Sequence, residues 1–96
     1  MELRFEWDEK KAERNRKKHR VDFDEASTVF QDPLARIFDD PDHSADECRE
    51  ILVGHSSQNR LLLVSFTERE SDVVRIISAR VATNRERHAY EEDQGG

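Results

Sequence analysis

The sequence is poor in the features that disulfide scaffolds and membrane spans need. Its 96 residues include one cysteine, Cys48, so no internal disulfide framework can form and no zinc site can rest on paired cysteines. Glycine and proline are scarce, at three and two, and there is no internal repeat or low-complexity tract. Seven aromatic residues leave little material for a large core. The longest apolar run, Leu61-Leu62-Leu63-Val64, is four residues, far short of the roughly 20 that cross a bilayer. The segment Met1-Glu2-Leu3-Arg4-Phe5-Glu6 lacks the apolar core of a signal peptide. These absences point to a soluble, cytoplasmic protein with no membrane association, no structural metal and no cofactor.

Charged residues make up 40% of the chain and hydrophobic residues 34%. The apolar residues are clustered, which argues for one small folded domain rather than disorder. We expect the domain to occupy residues 1–92, with 93–96 as a flexible tail. The net charge of −6 is unevenly distributed. Residues 1–20 carry eight Lys/Arg against five Asp/Glu, residues 21–59 two against ten, and residues 60–96 six against seven. A polyanion site must therefore be local, because the field of the whole molecule repels nucleic acid.

Phe5-Glu6-Trp7 reads as a short strand, and Asp8 as the N-cap of a helix over residues 9–19, which lack Gly, Pro and β-branched residues. Asp22 and Glu25 have the spacing of a capping box for a second helix. Its apolar positions Phe23, Ala26, Val29 and Phe30 recur at helical spacing, and Asp32-Pro33 ends it. Four strand-like runs follow: Leu34–Phe38, Arg49–His55 with Gly54 as a possible bulge, Leu61–Thr67 and Val73–Val81. Asp39–Glu47 reads as a polar loop, Ser56-Ser57-Gln58-Asn59 as a hairpin turn and Glu70-Ser71-Asp72 as another turn. Thr83-Asn84-Arg85-Glu86 is a capping box that opens a last helix, and Glu91–Gly96 reads as a frayed end. This order predicts an α+β domain: an antiparallel meander packed by two N-terminal helices and one C-terminal helix.

One ordered set of segments resembles the BrnT family, toxins of type II toxin–antitoxin modules. It begins with Phe5-Glu6-Trp7-Asp8-Glu9-Lys10-Lys11, Asn15 and Lys18-His19-Arg20-Val21-Asp22-Phe23-Asp24-Glu25-Ala26. It continues through Phe30-Gln31-Asp32-Pro33, Phe66-Thr67-Glu68-Arg69 and Arg75-Ile76-Ile77-Ser78-Ala79-Arg80. It closes with Glu86-Arg87 and Tyr90-Glu91. The resemblance covers nearly the whole chain. It implies a RelE-like fold and an endoribonuclease that inhibits translation. It also implies neutralisation by a ribbon-helix-helix antitoxin, BrnA, which alone would bring the complex to operator DNA. The RNA is either free or ribosome-bound mRNA. Arg20 stands where members of the family often carry glycine.

A metal-free ribonuclease needs a base for the ribose 2′-OH, an acid for the leaving oxygen and cations for the charge that builds at phosphorus. Arg80 and Arg69 are the candidates for the phosphate, because guanidinium presents a charged planar fork. Strand alternation puts Arg80 on a face with Ser78 and Ile76, and Ala79 on the other with Ile77 and Val81. A bland reading, in which both arginines are merely solvated, stands beside this one. His19 is the proton-shuttle candidate, and it and Lys18 could equally cap a helix C-terminus. Lys11, Asn15 and Lys18 fall at i, i+4 and i+7, so they form either an RNA-tracking stripe or a solvated face. Glu68 is a candidate base, although it could simply pair with its neighbour. Tyr90 is a candidate acid or base, or a stacking ring, against packing in the core. Trp7 is assigned to packing. His43 in its acidic loop matches no metal-loop spacing, and Cys48 reads as a small buried residue. Two rival functions remain open: a RelE-like binding module without cleavage, acting only in complex with a partner, and an interaction protein indifferent to nucleic acid.

Overall fold

Asp8 starts the first helix as its sequence position requires. Its carboxylate accepts from the backbone N–H of Lys10 at 2.8 Å and of Lys11 at 3.3 Å, and these bonds hold it below the usual carboxylate range. Residues 3–39, 49–70 and 72–95 are described by the structure, a computed structural model. The elements are β1 (Arg4–Glu6), α1 (Glu9–His19), α2 (Phe23–Thr28), β2 (Arg36–Asp39), β3 (Arg49–His55), β4 (Leu61–Glu68), β5 (Val73–Val81) and α3 (Asn84–Gly95). One 3-10 turn, Val29–Gln31, extends α2 before Asp32 takes an extended conformation ahead of Pro33. Of the expected loop Asp39–Glu47, Asp39 is instead the last residue of β2, and residues 40–47, with His43, lie outside the described residues, as do Cys48 and Ser71.

Five strands form one sheet in the order β1-β5-β4-β3-β2. Strands β2 to β5 make the expected antiparallel meander. The sheet as a whole is mixed, because β1 joins the outer edge of β5 in parallel, with Phe5 beside Val74. A three-residue strand carries no orientation signal of its own. Its direction follows from the long connection through α1, α2 and the meander. Helix α3 also runs on through the segment read as a frayed end, to Gly95.

The two helices before the sheet cover one of its faces. Val21, Phe23, Ala26 and Val29 are fully or almost fully buried against Leu52, Leu62, Val64, Phe66, Val74, Ile76 and Ala79. Burying a side chain such as Phe23 contributes about 1.5–3 kcal/mol. Trp7 packs as expected, its ring edge-on to Phe23 at 5.9 Å, and Phe30 bridges Phe5 and Phe66 at 5.1 and 5.0 Å. On the opposite face Val53, Leu61 and Tyr90 form a smaller cluster, flanked by Ile51, Leu63 and Ala82, where α3 docks.

Three local expectations need correction. Glu25 caps nothing. It is buried, accepts from Ser56 Oγ at 2.6 Å and from Arg60 Nε at 2.9 Å, and forms a second bond with Arg60 Nη2. Asp22 still precedes α2 but makes no side-chain capping bond. Gly54 is a point of close approach rather than a bulge. A Cβ there would lie 2.8 Å from the Ala35 Cβ and 3.0 Å from Val29 Cγ1. The bulge instead lies between β4 and β5, where Ser65 faces Ser78 and the next residue, Phe66, faces Ile76. The extra residue, Ile77, shifts the alternation by one. Ile76 and Ala79 therefore share the helix-covered core, and Arg80 does not share a face with Ile76.

Candidate active site

Beyond Glu6, β1 no longer covers the outer edge of β5, and α1 takes its place there. The buried Asn15 side chain completes this edge: its Nδ2 donates to the Ala79 carbonyl at 2.8 Å and to the Val21 carbonyl at 3.0 Å, and its Oδ1 accepts from the Ala79 N–H at 3.1 Å. The amide thus substitutes for a strand peptide. Asn15 is consequently absent from the expected RNA-tracking stripe, and of the three residues read as that stripe Lys11 and Lys18 are exposed.

One turn beyond Asn15, the half-buried His19 reaches a pocket of about 240 Å³ shared with Ile51, Leu63, Ser65, Ser78 and Arg80. The cross-strand pairs Ser65–Ser78 and Leu63–Arg80 form its floor. The next residue, Arg20, takes a left-handed conformation at φ 57°, which closes α1 through a bond from its N–H to the Arg16 carbonyl. A left-handed position of this kind favours glycine, and here an arginine holds it.

Arg80 is held at its tip. Its Nη1 donates to Glu86 Oε1 and its Nη2 to Glu86 Oε2, both at 2.8 Å. Glu86 is also the capping residue of α3. Its Oε1 accepts from the Thr83 N–H at 2.9 Å, while its own N–H donates to Thr83 Oγ1 at 3.2 Å. The Arg80 bonds, reinforced by Thr83, hold the Glu86 carboxyl down at about 2, and the same pair raises the Arg80 guanidinium. The Arg80 side chain remains 41% exposed.

The other expected members lie elsewhere. Arg69 follows β4 and bonds the Val73 carbonyl through its N–H, whereas Arg80 faces Leu63. At about 3.3 Å per residue the two arginines are roughly 20 Å apart. They cannot share one phosphate, which corrects the expected pairing. Arg69 instead approaches Glu6 at 3.8 Å, and Glu6 also accepts from Arg75 at 3.1 Å. Glu68 closes β4 at that same distant end, where burial first and then the Glu68 charge keep the Glu50 carboxyl raised. Tyr90 is buried. Its hydroxyl donates to the Leu34 carbonyl at 3.1 Å, and burial together with the Asp32 charge pushes its titration up, the opposite of what an acid–base role requires.

Tyr90 lines a second, largely apolar groove of about 670 Å³ with Phe38, Ile51, Val53, Leu63 and Ala89. Asp39, Glu86 and Glu92 also line it. Ile51 and Leu63 belong to both cavities, so the groove and the His19–Arg80 pocket form one continuous surface. Sequence reasoning missed Ser65 and Ser78 as site residues and saw Glu86 only as a cap. The strand register that sets the serines opposite each other becomes visible only once β4 and β5 are paired.

A guanidinium, an imidazole and two hydroxyl side chains around one small pocket can bind an anion and move a proton beside it. Comparison with known proteins supplies the family. The family described as "Ribonuclease toxin, BrnT, of type II toxin-antitoxin system" matches residues 7–86. Among solved structures, the Brucella abortus ribonuclease toxin BrnT, determined at 1.1 Å, matches with a TM-score of 0.66 and 24% identity, over 85% of this chain and 99% of that one. That likeness establishes the shared α+β fold. No curated protein sequence matches the chain. With the family match spanning the first helix, the meander and the Arg80–Glu86 segment, the chain belongs to the BrnT family of ribonuclease toxins of type II toxin–antitoxin systems.

Proposed function

We propose that the chain is an endoribonuclease that cleaves RNA without a metal, by internal attack of the ribose 2′-OH, at the His19–Arg80 pocket. The observation that carries this reading is the convergence of His19 and Arg80 on one cavity of about 240 Å³. In this scheme the His19 imidazole takes the 2′-OH proton. The 2′-oxygen bonds to phosphorus, the bond from phosphorus to the 5′-oxygen breaks, and the leaving oxygen takes a proton from the imidazolium. The products are a 2′,3′-cyclic phosphate and a 5′-OH. Arg80 neutralises the charge that grows on the non-bridging oxygens, and Ser65 and Ser78 supply hydroxyl donors beside it. Lys18, exposed next to His19, meets the flanking backbone, and Lys11 extends that contact along α1.

The partner in this reading is a small ribbon-helix-helix antitoxin, of the BrnA type, that covers the pocket. Support comes from the adjoining groove, whose apolar lining and three carboxylates suit an apolar segment flanked by lysine or arginine. Operator DNA would be reached only through that partner. A non-catalytic module of the same fold is the second reading, favoured by the carboxylate already seated on Arg80. Induced expression of the chain, with mapping of RNA ends, separates the two. Growth arrest with new ends, both lost in Arg80→Ala and both suppressed by the antitoxin, supports the nuclease. Arrest that persists unchanged in Arg80→Ala refutes the catalytic assignment.

A further inference from the structure

We infer that Glu86 is a positioning residue for Arg80: it takes one edge of the guanidinium and leaves the other to a substrate phosphate. This inference rests on the ribonuclease reading of the His19–Arg80 pocket.

A guanidinium carries five N–H donors arranged as two forks, one between the terminal nitrogens and one between Nε and a terminal nitrogen. Glu86 occupies the first fork with two bonds of 2.8 Å. Among the described residues, Arg80 Nε donates to no acceptor, so the second fork is open to a bidentate oxyanion. The arginine is fixed at its root as well, because the preceding residue, Ala79, has both backbone groups bound by Asn15. An arginine on an exposed strand end loses side-chain entropy whenever it binds; here much of that loss has already been met on folding. Glu86 is itself anchored by the Thr83 N–H at 2.9 Å, which ties the position of the guanidinium to the start of α3.

Two other roles for Glu86 make different forecasts. As a helix cap alone, it could be replaced by glutamine, since either residue satisfies a capping box. As a mask over Arg80, its removal would strengthen RNA binding and speed cleavage.

The test compares the full chain with Glu86→Gln, using RNA cleavage kinetics, thermal unfolding and the 15N-resolved Nε–H signal of Arg80. A 2′-O-methyl RNA oligomer, which cannot be cleaved by internal attack, serves as the binding probe. We expect Glu86→Gln to lower kcat about 10- to 100-fold, the scale of a misplaced catalytic group. KM should stay within about three-fold or fall, because a negative charge has been removed from the site. The Arg80 Nε–H signal should shift on adding the oligomer to the parent and shift much less in Glu86→Gln, where the fork is no longer oriented, with both proteins folded. Parent-like kcat in Glu86→Gln, or a higher one, overturns the positioning role while leaving the nuclease reading intact. A parent that neither cleaves RNA nor shows the Nε–H shift overturns both. If Glu86→Gln fails to fold, Arg80→Lys, which keeps the charge without the fork, carries the test. A loss of kcat comparable to that of Arg80→Ala supports the need for an oriented fork, and parent-like kcat rejects it.

Discussion

The side-chain amide of Asn15 spans both backbone groups of Ala79, accepting from its N–H at 3.1 Å and donating to its carbonyl at 2.8 Å. One helix residue thereby seals the open edge of β5 next to Arg80 and sets His19, one turn later, at the same pocket. Asn15→Ala leaves buried backbone groups without partners and should destabilise the domain by about 2–3 kcal/mol. Denaturant unfolding at fixed slope reads this as a lower midpoint. A midpoint equal to that of the parent would mean that water replaces the amide without loss.

Acid should loosen the domain through two carboxyls. Glu86 is held at about 2 by Arg80 rather than its ordinary 4.5, and Glu25 is held low by Arg60 despite its burial. Both titrate lower in the folded chain than in the unfolded one, so the unfolded chain takes up protons first as the pH falls. Their stabilisation is complete above the ordinary carboxylate range and is lost as pH drops from about 4.5 towards 2. Melting temperature followed across that window should fall. In Arg80→Ala the fall should be shallower; an unchanged profile would show that the Arg80 pair does not contribute.

Tyr90→Phe should leave cleavage within about two-fold, because the hydroxyl is bonded to the Leu34 carbonyl and titrates above its ordinary value. Loss of that bond should cost about 0.5–1.5 kcal/mol of stability. A large fall in kcat with stability preserved would restore the tyrosine to the chemistry.

Arg20→Gly should stabilise the fold by about 1 kcal/mol, since the left-handed conformation at φ 57° strains any residue with a Cβ. Equilibrium unfolding decides it; a less stable variant would mean that the gain in unfolded-chain freedom outweighs the relieved strain.

Much of this architecture was legible in the sequence, for identifiable reasons. Helix α1 follows from Asp8 and an uninterrupted run of good helix formers. Strands β3 and β5 follow from β-branched runs bounded by turns, and the start of α3 follows from Thr83 and Glu86. What stayed hidden depends on partners distant in the chain. Glu25 has the spacing of a cap, yet its partner Arg60 lies 35 residues on. Asn15 has the spacing of a surface stripe, yet it bonds a strand 64 residues away. Arg69 and Arg80 look equivalent as charges next to strand ends, but each stands at the C-terminal end of its strand, and antiparallel pairing, which the expected meander already implied, puts those at opposite ends. The bulge at Ile77 has no local signature either, so simple alternation assigned Ile76 to the wrong face.

The direct test of the account is the rate at which the purified chain produces 2′,3′-cyclic phosphate ends from RNA, measured for the parent, Arg80→Ala and Arg69→Ala. If one pocket performs the chemistry, Arg80→Ala should lose at least about 100-fold, as when a single donor to a developing oxyanion is removed, with folding intact. Arg69→Ala, roughly 20 Å away by strand geometry, should stay close to the parent. Equal rates for the parent and Arg80→Ala, or a loss confined to Arg69→Ala, would contradict the assignment of the site.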